Sequence, residues 1–198
     1  MKRTFFSLAL LLAVATLTAQ TKMTAREAAV KIADRILAST TYEFKNTKTG
    51  EIYKSVKKLP LDMDVKVACK YNNWHYTNGV TNMALMELGD KLGDKKYEKY
   101  VLKNMNFVFN EGNLDFFRKQ YDEAFKRDGW NAVRKLSWHM IFRGKRLDDN
   151  GPMGASLIEL QLKYPNDSFL GYINETAEHL NYGCLLYTSP SPRDGATS

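Results

Sequence analysis

The sequence predicts an all-α fold assembled from helical hairpins. Three observations carry that expectation. Apolar residues recur at helical spacing in seven segments, no segment shows strong two-residue alternation, and the chain repeats itself without gaps at a shift of 72 residues. Composition agrees: 44% hydrophobic and 26% charged residues place the 198-residue chain outside the disordered class. Two cysteines with no CxxC pair exclude a disulfide scaffold, a zinc ribbon and a thioredoxin-type site.

Both ends are expected to lie outside the fold. Met1-Lys2-Arg3, an apolar run from Phe5 to Leu17 and Thr18-Ala19-Gln20 read as a secretory signal over residues 1–19. The domain is expected over 20–183 and the protein in the periplasm or secreted, off the membrane once the signal is cleaved. Residues 184–198 read as a non-native tail, because Cys184 to Asp194 matches the translation of an eleven-codon transposase sequencing adapter. The chain is therefore expected to be an N-terminal piece of a longer reading frame, with exposed apolar flanks and marginal stability. Removing Lys2, Arg3, Arg193 and Asp194 takes the net charge from +7 to +5. That suits an anionic ligand. It does not suit nucleic acid, since no dense Lys/Arg stripe interleaves with aromatics. Cys69, the remaining cysteine, reads as a small buried hydrophobe.

The first predicted helix runs from Thr24 through Leu37, opened by a Thr24–Glu27 capping box. From Thr40 to Lys70 the pattern dissolves into Thr, Lys, Asn and Gly with Pro60, and predicts an irregular or weakly extended connection. Further helices are expected from Gly79 to Leu92, around Tyr97 to Val108, then over Leu114–Lys126, Trp130–Phe142, Gly151–Tyr164 and Phe169–Leu180.

The 72-residue shift places Asn78-Gly79 on Asn150-Gly151, Leu85, Glu87 and Leu88 on Leu157, Glu159 and Leu160, and Lys91 on Lys163. Tyr97 falls on Phe169 and Tyr100 on Tyr172. Each copy reads as loop, Asn-Gly, helix, turn at Asp94 or Asn166, helix. Hairpins of this kind bury their apolar faces only against neighbours. The repeat also aligns the loop Trp74-His75-Tyr76-Thr77 with Arg146-Leu147-Asp148-Asp149, so both are expected at one end of the stack. There the positive helix N-termini favour an anion.

Asp148 and Asp149 are the leading candidates for chemistry. Two adjacent carboxyls repel when both are ionised, so one can stay protonated and act as a proton donor; a helix cap is the competing role for Asp149. Trp74, His75 and Tyr76 offer flat rings for a sugar face or, alternatively, an anchor for the helix start. His139 can contact substrate or serve structure. Arg143, Lys145 and Arg146 can bind a carboxylate or form a solvated basic turn. No HExxH, P-loop, GxSxG or dinucleotide motif is present.

Trp74-His75-Tyr76-Thr77-Asn78-Gly79, the Gly89–Tyr100 hairpin and Arg146-Leu147-Asp148-Asp149-Asn150-Gly151-Pro152-Met153-Gly154 together resemble the unsaturated rhamnogalacturonyl hydrolases of glycoside hydrolase family 105, relatives of the unsaturated glucuronyl hydrolases. The likeness runs over residues 24–183. It implies a partial (α/α)6 barrel, about half of the ring being present, and a substrate oligosaccharide ending in a 4,5-unsaturated uronate. It implies no metal or organic cofactor. The implied catalytic residues are Asp149, with Asp148 next, and a second aspartate beyond Gly183; without the latter this piece is expected to be inactive. Trp74, His75, Tyr76, His139 and Arg146 are the implied substrate-binding set. A non-catalytic periplasmic helical-repeat binder for glycan or protein is the alternative.

Overall fold

The computed structural model describes residues 23–109, 112–143 and 147–183, excepting the side chains of 147–149 and 179–183. The expected signal and the expected tail lie outside the described residues. The chain divides into two units at Asp34. The first carries the start of α1 (Ala25–Ser39), opened as expected: the Thr24 amide donates to the Glu27 carboxylate at 2.8 Å and the Glu27 amide donates back to Thr24 Oγ1 at 3.2 Å.

The second unit is mostly helical. It holds α2 (Tyr76–Leu92), α3 (Lys96–Phe109), α4 (Asn113–Val133), α5 (Leu147–Lys163) and α6 (Asp167–Gly183). The helix bounds reproduce the repeat: shifted by 72 residues, α2 and α3 fall on α5 and α6 to within two residues at every end. The turns match too. Asp94 Oδ1 accepts from the amide of Lys96, and Asn166 Oδ1 accepts from the amide of Ser168, its counterpart. Gly93 closes α2 at φ 66°, a conformation glycine adopts without penalty.

Three expectations need correction. The segment 40–70 contains a three-stranded antiparallel sheet in the order β2-β1-β3, with β1 (Phe44–Asn46), β2 (Ile52–Tyr53) and β3 (Val65–Val67). Strands of two or three residues are too short to display alternation, yet Phe44 and Asn46 of β1 and Val65 and Val67 of β3 point inward. The Asn46 side chain accepts from the amides of Lys48 and Thr49, folding the β1–β2 turn. Phe44 packs among Phe107, Phe116 and Phe117, and Gln120 of α4 donates to the carbonyls of Asp62 and Val65, fixing the sheet on α3 and α4.

The second correction concerns Trp130–Phe142, which is not one amphipathic helix. α4 breaks at Asp128–Gly129, ends at Val133, and is followed by a 3₁₀ turn over His139–Phe142. Tertiary hydrogen bonds override the local periodicity. Ser137 Oγ accepts from the amide of Val67, and Asn73 Oδ1 accepts from the amide of Trp138, whose φ is 61°. Cys69 is half-buried rather than buried.

α2 and α5 make the most extensive contact in the unit. They run parallel, because the start of α2 meets the start of α5 and their ends also meet. At the start, a Cβ built on Gly79 would stand 2.4 Å from the Pro152 carbonyl carbon and 2.5 Å from the Met153 nitrogen. At the far end, Lys163 Nζ lies 2.7 Å from Glu98 Oε2 and 3.2 Å from both Asp90 oxygens, while the Tyr164 hydroxyl donates to the other Glu98 oxygen.

This lower clamp sets a pH dependence. Hydrogen bonds from Lys163 and Tyr164 hold the buried Glu98 carboxyl below its ordinary range, and Glu98 in turn raises Lys163. The Glu98 contribution to stability is present above the unfolded carboxylate value of about 4.3 and is lost as pH falls through the lower folded value. The Lys163 contribution is complete below about 10.4 and is lost as pH climbs through the higher folded value. Thermal melts across pH are expected to show a plateau between these limits. Glu98→Gln should flatten the acid limb and lower stability by about 1–3 kcal/mol.

Candidate functional site

α2 begins three residues earlier than its apolar pattern suggested, because His75 caps it. The His75 Nδ1 accepts from the amide of Thr77 at 3.4 Å and lies 2.9 Å from Thr77 Oγ1. α5 begins four residues earlier than expected. The apolar spacing pointed to a start at Gly151; instead the helix opens at Leu147 and carries Pro152 inside. Proline has no N–H, so the Asp148 carbonyl lacks its usual partner four residues on. Asp148 and Asp149 therefore sit in the first turn of α5, at its positive end. Their side chains, and Lys145 and Arg146 entirely, lie outside the described residues.

The aromatic loop is joined directly to the first turn of α5. Trp74 Nε1 donates to Asn150 Oδ1 at 2.8 Å, and Asn150 Nδ2 donates to the Arg143 carbonyl at 2.9 Å. Asn78, the counterpart of Asn150, donates to the carbonyls of Lys70 and Asn73. Each repeat thus uses a buried asparagine in its first helical turn to hold the loop that precedes it. The aromatic loop and the acidic turn share one end of the parallel pair.

Trp74 itself is a core anchor. Its ring is fully buried, 5.0 Å from that of Tyr172 and 6.2 Å from that of Trp138. A ring without exposed surface has no face for a sugar, so the expected stacking role does not fall to it. Tyr76 is 47% exposed and lies 4.7 Å from the ring of His75, which is also exposed. His139 Nδ1 donates to the Leu136 carbonyl at 2.6 Å and its ring sits 5.7 Å from Trp130, a structural tether.

Three residues outside the substrate-binding set implied by the resemblance shape this end. Asn73 Oδ1 accepts from the amides of Trp74 and Trp138, coupling the aromatic loop to the 3₁₀ turn. The Arg143 guanidinium stacks 3.7 Å over the half-exposed Trp130 ring, beside the start of α5. Arg118 lies 4.8 Å over Phe142 and, with Glu175, Ser168 and Tyr172, lines a cleft of about 340 Å³. The Tyr172 hydroxyl donates to the Ile141 carbonyl, and burial pushes its pKa up. Of these residues only Arg143 was marked by sequence, through its neighbours Lys145 and Arg146. Asn73 and Arg118 act through partners 65 and 24 residues away, which no local pattern reports.

Among the described residues no group of His, Cys, Asp and Glu could hold a metal ion, and no helix is long and apolar enough to cross a membrane. Compared with known proteins, the chain matches no family model and no curated sequence.

Proposed function

We propose that the chain is part of a glycoside hydrolase acting on oligosaccharides that end in a 4,5-unsaturated uronate, its hairpins forming part of an (α/α)6 barrel. The observation that supports this reading is the Trp74–Asn150 hydrogen bond, which brings the aromatic loop to the first turn of α5, where Asp148 and Asp149 sit. Two parallel helix N-termini at that end favour the uronate carboxylate. The Arg143 backbone is held at the same turn through its carbonyl, with its guanidinium stacked on Trp130.

In this reading Asp149, with Asp148 as the alternative, delivers a proton to C4 of the enol-ether double bond or positions the group that does. Water adds at C5 and gives up a proton; the resulting hemiketal opens at its C5–ring-oxygen bond to a ketone, and the hemiacetal left at C1 then breaks its bond to the leaving sugar, which departs as an alcohol. The exposed Tyr76 and His75 pair faces the sugar, and Arg146 and Arg143 bind the carboxylate. The second aspartate implied by the resemblance falls beyond Gly183, so the test is run on the complete reading frame. Lyase-treated pectin fragments should lose the ultraviolet absorbance of their double bond, and Asp149→Asn should abolish that loss. An unchanged spectrum, with the protein folded and saturated glycosides cleaved instead, would refute the proposal.

A further inference from the structure

One face of α3 and the β1–β2 segment enclose a cleft of about 390 Å³. The helical wall follows from spacing. Lys99, Leu102, Lys103 and Asn106 recur at three- and four-residue steps and so share a face. The opposite wall follows from strand pairing. Phe44 pairs with Tyr53, so Lys54, the next residue, comes to the end of β1 where Tyr42 stands. Tyr42, two residues before the inward Phe44, turns to the same side, and both rings lie 5.5 Å from that of Phe107. The Tyr42 hydroxyl donates to Asn104 Oδ1 at 2.6 Å, and Lys103 Nζ stands 4.3 Å over the Tyr42 ring.

Three exposed lysines, Lys54, Lys99 and Lys103, therefore converge on one hollow, and no carboxylate lines it. Among the described residues none of the three forms an ion pair, whereas Lys48, Lys91, Lys96, Lys126 and Lys163 each lie within 3.4 Å of a carboxylate oxygen. Like charges four residues apart, as in Lys99 and Lys103, weaken a helix unless a counter-charge joins them. A cationic hollow with low-dielectric walls also focuses its potential on an incoming anion. The charge separates this cleft from a packing face. The hairpin stack continues from α5 and α6, whereas the cleft is built from α3 and the sheet. A segment laid over it would strip water from three ammonium groups, a cost that apolar contact does not offset.

The lining also selects the ligand. Phe107 is buried, and Tyr42 already carries Phe107 and Lys103 against its ring, so neither a nucleobase nor a neutral sugar finds an open face to stack on. Ammonium groups are compact point charges that suit carboxylate and sulfate oxygens. Three of them on separate stems match several anionic groups borne on one chain. We propose that this cleft binds a polyanionic glycan, with carboxylates or sulfates on successive sugars. The inference does not depend on the proposed hydrolytic activity.

Titration calorimetry tests it on this chain and on the complete reading frame, with saturated oligogalacturonate, dextran sulfate and neutral dextran as probes. The saturated probe carries no double bond, so its binding is read apart from the hydrolysis. Both charged glycans should bind, more weakly as salt rises, and neutral dextran should not. Lys54→Gln and Lys99→Gln should each weaken binding about two- to five-fold, and together about ten-fold, with an unchanged thermal melt. The control is Lys45→Gln with Lys66→Gln, a pair facing each other across β1 and β3 outside the cleft. It removes the same charge and should leave the affinity unchanged. Binding of only one charged glycan upholds the proposal and identifies the recognised group as carboxylate or sulfate. The proposal is overturned if neither charged glycan binds, if neutral dextran binds equally well, or if the control pair weakens binding as much as the cleft pair. Tighter binding of a DNA oligonucleotide of equal charge overturns it too. So does binding by this chain that the complete reading frame lacks, since the cleft is then covered.

Discussion

Gly79→Ala is expected to destabilise the protein by about 1–2 kcal/mol, although alanine is the better helix former. The intrinsic preference for alanine over glycine in a helix interior is about 0.8–1.0 kcal/mol. Opposing it, the new Cβ would stand 2.4 Å from the Pro152 carbonyl carbon, 2.5 Å from the Met153 nitrogen and 2.7 Å from Pro152 Cβ. Two of those three are backbone atoms of α5, so no rotamer change relieves the clash; the helix itself has to move. Overpacking of this kind costs about 1–3 kcal/mol and more where the backbone is rigid. Moving α5 also strains the Trp74–Asn150 hydrogen bond above and the Lys163–Glu98 clamp below. The control is the repeat counterpart: Gly151→Ala meets nothing within 4 Å and should raise stability by up to about 1 kcal/mol. Urea unfolding of the two variants checks both signs. Equal shifts in the same direction would mean that α2 and α5 do not approach as closely as their backbones indicate.

The helices were legible in sequence where each has one apolar face against one neighbour. The hairpin of α2 and α3 and that of α5 and α6 announce themselves twice, through heptad-like spacing and through the 72-residue shift. Their starts were misplaced in one direction, toward later residues. The first turns of both helices, Tyr76–Asn78 behind the His75 cap and Leu147–Asn150, lack an apolar repeat in sequence, so periodicity does not register them. What stayed hidden depends on distant partners. The sheet needs Gln120 and the Phe44 cluster to hold strands too short to stand alone. The stretch after Val133 leaves the helical path because Asn73 and Val67 draw Trp138 and Ser137 into other hydrogen bonds. Asn150 was visible as a repeat position, but the exposure of Trp74 was not readable: an aromatic residue in a polar loop serves equally as a ligand platform or as a core anchor until its neighbours are known.

That ambiguity separates cleanly in a pair of substitutions at adjacent loop residues. Trp74→Ala should cost about 3–5 kcal/mol, the usual penalty for emptying a buried aromatic site. It removes contacts with Phe109, Trp138 and Tyr172 and leaves Asn150 Oδ1 buried without its donor. Trp74→Phe keeps most of the ring but still loses the hydrogen bond, and should cost about 1–3 kcal/mol. Combining Trp74→Phe with Asn150→Ala should be less damaging than the sum of the two, since each removes the same bond. Tyr76→Ala, at an exposed ring in the first turn of α2, should change stability by less than about 0.5 kcal/mol. If this end binds a sugar, Tyr76→Ala weakens that binding without touching the fold, whereas Trp74 substitutions alter binding only through unfolding. A Trp74→Ala variant that melts like the wild type but loses oligosaccharide affinity would reverse these roles. It would place the Trp74 ring at the surface and leave Asn150 bonded only to the Arg143 carbonyl of the segment before its own helix.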